Sequence, residues 1–160
     1  MRSPLFILIS ALGLTVALTH GCAGDGSALF DDVLEPDPDM CPPEDTAGAP
    51  TLAEVQAAIF GDVCSICHDA SGIGPFRLDT EEESFQNLVG VPTACTLPDC
   101  EGLNLVEPCD VDRSYLIWKL EGMGPEGQQI EGDQMPLFFP PLSEGEIDLV
   151  RGWIEAGAQP

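Results

Sequence analysis

Five consecutive residues constrain this chain more than any others: Cys64, Ser65, Ile66, Cys67 and His68. Two cysteines with two residues between them, and a histidine directly after the second, form the attachment signature of c-type haem. In that chemistry each thiol S–H adds across one of two vinyl groups on a porphyrin edge, and the short link sets His68 under the iron. A histidine tethered in this way cannot easily leave the metal. Two other uses of the pair compete. With Cys95 and Cys100 the cysteines make a four-thiolate zinc set. Alone they make a thioredoxin-like redox pair, which needs a βαβ context, or a plain disulfide. None of these needs His68 where it stands.

The start of the chain says where such chemistry takes place. Arg2 gives a small positive opening, and Leu5 to Leu18 is an apolar run broken only by Ser10, Gly13 and Thr15. The run is too short for a stable membrane span and suits the core of a secretory signal. Gly21 followed by Cys22 at its end resembles the lipobox of bacterial lipoproteins, in which Cys22 is acylated and becomes the mature N-terminus. Thr19 stands where the usual leucine would be, so ordinary signal cleavage nearby is the alternative. Either route exports the chain, as a periplasmic protein or one tethered at the outer membrane. Covalent haem c is built outside the cytoplasm in bacteria, and an oxidising compartment permits disulfides.

Charge narrows the partners. The chain has 28 acidic against 5 basic residues, a net charge of −23. Cleavage before Cys22 removes Arg2 and no acid. Nucleic acid and anionic headgroups are repelled by such a chain. Membrane contact is therefore expected only through an N-terminal lipid. A redox protein with a basic docking surface is attracted, and their association slows as salt rises.

Three regions follow: a signal segment over 1–22, a tether over 23–50 and a folded domain over 51–160. Glu35-Pro36-Asp37-Pro38-Asp39 and Pro42-Pro43-Glu44-Asp45 typify the tether. Little apolar surface is available there to offset ordering entropy, and proline and like charges keep such a stretch extended and disordered. At ~3.3 Å per residue, Cys22 to Thr51 reaches at most about 100 Å.

The domain reads as all-α with long loops. Thr51 and Glu54 form a capping box ahead of Leu52, Val55, Ala58 and Ile59, predicting a helix to Phe60 or Gly61. Ser143 and Glu146 repeat the device before Ile147, Val150, Trp153 and Ile154, and Gly157 ends that helix. Gly152 inside it costs ~1 kcal/mol relative to alanine; a close crossing against Ala57, Ala58 or Phe60 would explain it. Further helices are expected over Asp112 to Glu121 and Glu81 to Val89. A domain of this size has a modest apolar core, which haem enlarges. Phe60, Ile66, Phe76, Leu78, Trp118, Phe138 and Phe139 are candidates for the haem pocket, with ordinary core packing the alternative for each.

A sixth iron ligand has to come from what remains. His20 and Met1 fall in the signal segment and Met40 in the tether, leaving Met123 and Met135. Pro136 stiffens the loop at Met135, whereas Met123 sits between two glycines, so Met135 is favoured. His/Met ligation favours Fe(II) and raises the potential, which suits electron transfer.

From Thr51 onward the chain resembles a class I cytochrome c domain, most closely the planctomycete-type group. The residues that carry the resemblance start with Cys64-Ser65-Ile66-Cys67-His68, Leu78-Asp79, Val106-Glu107-Pro108, Ser114-Tyr115-Leu116 and Lys119-Leu120. Met135-Pro136, Pro140-Pro141-Leu142-Ser143, Glu146-Ile147 and the run from Arg151 to Ala158 complete them. The resemblance implies a class I helical fold around one covalent haem, with His68 proximal, Met135 distal, and electron carriage rather than enzymatic turnover. It also implies that the Pro75 carbonyl in Gly74-Pro75 holds the second ring nitrogen of His68.

Cys109 departs from the family, standing where its Pro-Gly-Asp stretch has glycine. With Cys41, Cys95 and Cys100 it completes an even set, so two disulfides are expected. Cys95–Cys100 with Cys41–Cys109 is one pairing, and Cys95–Cys109 belongs to another. The functional expectation is a monomeric, tethered, monohaem electron carrier between exported redox partners. A haem-based ligand sensor or peroxidase-like protein with a labile sixth ligand is one rival, and a non-haem zinc or disulfide interaction module is the other. Outside this stretch the chain holds no Ser/His/Asp set and no phosphate loop.

Overall fold

The computed structural model describes residues 47–160. The apolar run, Cys22, Met40 and Cys41 lie outside the described residues, as does the tether through residue 46. No helix among the described residues is long and apolar enough to cross a membrane.

The first helix starts where its capping box puts it. Thr51 is the N-cap, its hydroxyl accepting from the Glu54 N–H while the Glu54 carboxylate accepts from the Thr51 N–H. Helix α1, Leu52–Val55, runs straight into a π turn, Gln56–Phe60, closed by the Gly61 N–H on the Gln56 carbonyl at 2.8 Å. Its extent agrees with the spacing of Leu52, Val55 and Ile59, all buried. The Gln56 side chain is also buried and satisfied at both ends. Its Nε2 donates to the Leu78 carbonyl at 3.0 Å and its Oε1 accepts from the Ser84 hydroxyl at 2.7 Å. One amide thus ties the first helix to the second and to the loop between them.

Helix α2, Glu81–Leu88, is capped by Thr80 and carries three glutamates in its first turn, where they complement the helix dipole. Helix α3, Tyr115–Glu121, starts three residues later than the sequence predicts. The Ser114 hydroxyl does not cap it. Fully buried, that hydroxyl donates to the Asp110 carbonyl and accepts from the Glu107 N–H, which folds 107–113 into turns instead. Gly122 ends α3 in the left-handed region, with φ +85°.

Helix α4, Glu144–Glu155, has the second capping box, Ser143 with Glu146. At its other end the Gly157 N–H reaches Ile154 and the Ala158 N–H reaches Trp153, a Schellman closure with Gly157 at φ +96°. Helix α1 packs on α2 and α4, and α3 packs on α4. Phe60 meets Trp153 edge to face at 6.2 Å in the centre of that core.

Gly152 is explained by a different neighbour from the one expected. A Cβ there would lie 2.9 Å from both Cδ and Cγ of Pro50, just ahead of α1, rather than against Ala57, Ala58 or Phe60. The rigid proline ring cannot rotate away. Gly152→Ala is expected to lose about 1 kcal/mol, the helix gain of ~1 kcal/mol being outweighed by overpacking of ~1–3 kcal/mol. A urea midpoint at or above that of the unaltered protein would show that Pro50 yields.

The sequence shows no strand, yet two extended segments pair. The Gly90 N–H donates to the Val106 carbonyl, Leu105 to Val91 and Thr93 to Leu103, with isolated bridges at Val89–Val106 and Pro92–Asn104. Leu116 then donates to Leu105, so this short ribbon also anchors the start of α3. Cys95 and Cys100 are bonded to each other, which removes the Cys95–Cys109 pairing. Cys109 is itself in a disulfide, and Cys41, the partner expected for it, lies outside the described residues. Cys109 has φ +70°, a left-handed conformation that glycine adopts freely and cysteine rarely does.

Candidate functional site

The π turn of the first helix delivers the chain into the Cys64–His68 loop. A short 3-10 turn, Cys64–Ile66, follows, and the N–H groups of Cys67 and His68 both bond to the Cys64 carbonyl. This tight wrap puts Cys64, Cys67 and His68 on the wall of one cavity while Ile66 turns outward, about half exposed. Both thiols are free. Burial pushes the Cys64 thiol up to about 12. Redox-active cysteine pairs have the opposite property, a depressed pKa.

His68 is seated by the residues that follow it. Its Nδ1 lies 3.1 Å from the Phe76 carbonyl oxygen. A carbonyl only accepts, so this bond puts the proton on Nδ1 and leaves the Nε2 lone pair for another partner. The resemblance to class I cytochromes c implies this role for Pro75. It falls instead to Phe76, one residue on, and Pro75 lines the cavity. The Phe76 ring also lies against the imidazole, centroids 4.9 Å apart. Gly74 closes the other side. A Cβ on Gly74 would stand 2.4 Å from His68 Nδ1 and 2.8 Å from its Cγ, so no other residue fits there without moving the ring. Backbone bonds from Gly74 to Cys67 and from Leu78 to His68, each 2.7 Å, fix the frame. Arg77 braces it further, donating twice to Asp79 and pairing with Glu83 of α2. The Arg77 guanidinium holds the Asp79 carboxyl below its usual range.

The cavity these residues share has a volume of about 710 Å³ and a mostly apolar lining. That is within the ~300–1,000 Å³ typical of small-molecule and cofactor sites. Met135 lines it with His68, and Met123 does not, standing 55% exposed elsewhere. The Met135 N–H donates to the Lys119 carbonyl at 2.8 Å, and the Met135–Pro136 peptide is cis. Of the seven predicted pocket residues, Phe76, Leu78, Phe138 and Phe139 line the cavity. Phe60 packs on Trp153 instead, Ile66 faces out, and Trp118 turns its indole N–H to the Asp112 carbonyl and its ring to Tyr115.

The chain matches no protein-family model, no curated protein and no solved structure.

The cavity also takes residues that the sequence did not mark as its lining. Tyr115, Leu116, Lys119 and Leu120 bring one face of α3 to the cavity, and Val91 to Cys95 bring the ribbon. The steps between Tyr115, Leu116, Lys119 and Leu120 are those of one helical face, a signal hidden by the charge of Lys119. The zinc set is not assembled. Cys95 and Cys100 are consumed in their own disulfide, and among the described residues no three His, Cys, Asp or Glu side chains gather as metal ligands.

Proposed function

We propose that this domain holds one covalent haem c and carries single electrons between exported redox partners, as a class I cytochrome c of the planctomycete type would. The observation that carries the reading is the meeting of two free thiols, an imidazole with its Nε2 left free and a thioether in one apolar cavity. The residues fit the group. Thioether attachment needs two cysteines on one edge, which the Cys64–Cys67 turn supplies. Axial ligation needs the imidazole tautomer that the Phe76 carbonyl enforces. The Gly74 cradle fits the ring so closely that a methyl group would displace it.

When bound, haem c supplies one-electron iron chemistry. The chain does the rest. Cys64 and Cys67 would hold the cofactor through thioethers, each S–H adding across a vinyl group with no leaving group. His68 would supply an imidazole nitrogen and Met135 a thioether as iron ligands. A thioether favours Fe(II) and raises the potential. Apolar residues from α3, the ribbon and the 137–139 segment line the cavity and would surround the cofactor with mostly apolar side chains. Cys22 as a lipid anchor and residues 23–50 as its leash would let the domain search a volume near its membrane. The charge of −23 selects basic partners.

The test is a visible spectrum of the reduced protein made in a host with haem c maturation, with a haem stain after denaturing electrophoresis. Sharp reduced bands and a stain that survives denaturation are expected. Colourless protein with both thiols titratable overturns the proposal.

A further inference from the structure

We propose that Lys119 is the positioning residue that holds Met135 in the cavity. The inference rests on the reading of Met135 as an axial ligand. Lys119 is the only lysine of the chain. Its two ends grip the same segment. The main-chain carbonyl accepts from the Met135 N–H at 2.8 Å, while Nζ donates to the Glu131 carbonyl at 2.9 Å and to the Asp133 carbonyl. Three of the five residues from 131 to 135 are therefore bonded to one residue of α3.

The segment has no regular structure of its own. Neighbouring α3 residues complete the grip: the Tyr115 hydroxyl accepts from the Glu131 N–H, and the Gln134 amide donates to the Leu120 carbonyl. On its far side, the Glu131 carboxylate accepts from the N–H and hydroxyl of Thr96, inside the loop closed by Cys95–Cys100. A lysine in a chain with 28 acids finds carboxylates readily. This one directs its ammonium at backbone carbonyls and is partly desolvated there, which lowers its pKa. Charged donors on backbone acceptors are the stronger class of hydrogen bond and fix geometry.

The experiment is imidazole titration of the oxidised holo-protein, following the far-red absorbance band of an iron–methionine bond. External imidazole displaces Met135 only when the 131–135 segment lifts. Lys119→Met keeps the stem and removes the donors, and should bind imidazole about tenfold or more tighter. Lys119→Arg keeps donors and should return the affinity most of the way. Amide exchange at Glu131 and Met135 should quicken in Lys119→Met and not in Lys119→Arg. If Lys119→Met fails to fold, acetylation of the folded wild type, which alters one side chain and any free N-terminal amine, must give the same tightening. Unchanged imidazole affinity in a folded Lys119→Met protein that has the band overturns this proposal alone. Wild type without the band removes the axial reading of Met135 and this proposal with it.

Discussion

If the domain holds haem c as proposed, Gly74→Ala is expected to disrupt iron binding by His68 while leaving the cofactor covalently attached. The added methyl would lie 2.4 Å from His68 Nδ1, 2.7 Å from Cε1 and 2.8 Å from Cγ. None of these is the far end of a flexible chain. The ring is pinned by the Phe76 carbonyl and lies tilted against the Phe76 ring, and its backbone is tied to Leu78. The imidazole can only swing out, which breaks the Nδ1 bond and turns Nε2 from the cavity. Overpacking costs ~1–3 kcal/mol and the lost hydrogen bond about 1 kcal/mol more. Loss of such a supporting bond typically weakens metal binding 10- to 100-fold. Cys64 and Cys67 are untouched, so the haem stain on a denaturing gel should persist. The low-spin spectrum of the native protein should give way to a high-spin one. Gly145→Ala is the control, since its Cβ meets open space and its helix position favours alanine. A Gly74→Ala protein with the native spectrum would mean that His68 is not held as described.

The two capping boxes were legible because each is a local device. A hydroxyl and a carboxylate three residues apart satisfy backbone donors with no help from the rest of the fold. A helix start set by tertiary packing was not legible. The helix expected from Asp112 begins at Tyr115 because the Ser114 hydroxyl holds the turn before it. The paired segments around Val91 and Leu105 were too short to alternate visibly as strands. Gly152 announced a close contact but not its partner: Ala57, Ala58 or Phe60 is the expected one, and Pro50, far away in sequence, supplies it. The site shows the same division. The Cys64–His68 wrap is local and follows from its spacing. Whether Pro75 or Phe76 supplies the carbonyl depends on how the loop crosses the ring, and a single residue of path length decides it. Lys119 was invisible as a cavity residue because a charge on a helix is ordinarily solvent-facing, whereas here the residue lines the cavity and its ammonium bonds to the Glu131 carbonyl.

On the proposed haem c reading, Met135→Ala should leave the iron with an open position and cost the carrier its distal ligand. The far-red band should vanish, the potential should fall by ~100 mV or more given the ~0.8 V range that axial ligands span, and external ligands such as carbon monoxide should bind without displacing anything. Stability should fall too, though by less than the ~2–5 kcal/mol of a fully buried methionine, because Met135 is only partly buried against the core. Met123→Ala is the matched comparison. Its side chain is 55% exposed and outside the cavity, so band, potential and midpoint should stay where they are. The pair of variants also separates the rival functions. A ligand sensor or peroxidase-like protein would bind carbon monoxide readily before any substitution and change little on losing Met135. A carrier resists the ligand until the thioether is removed. If Met123→Ala were the variant that lost the band, the distal wall described here would be wrong, since the iron would then have to reach a sulfur that stands outside the cavity shared by His68 and Met135.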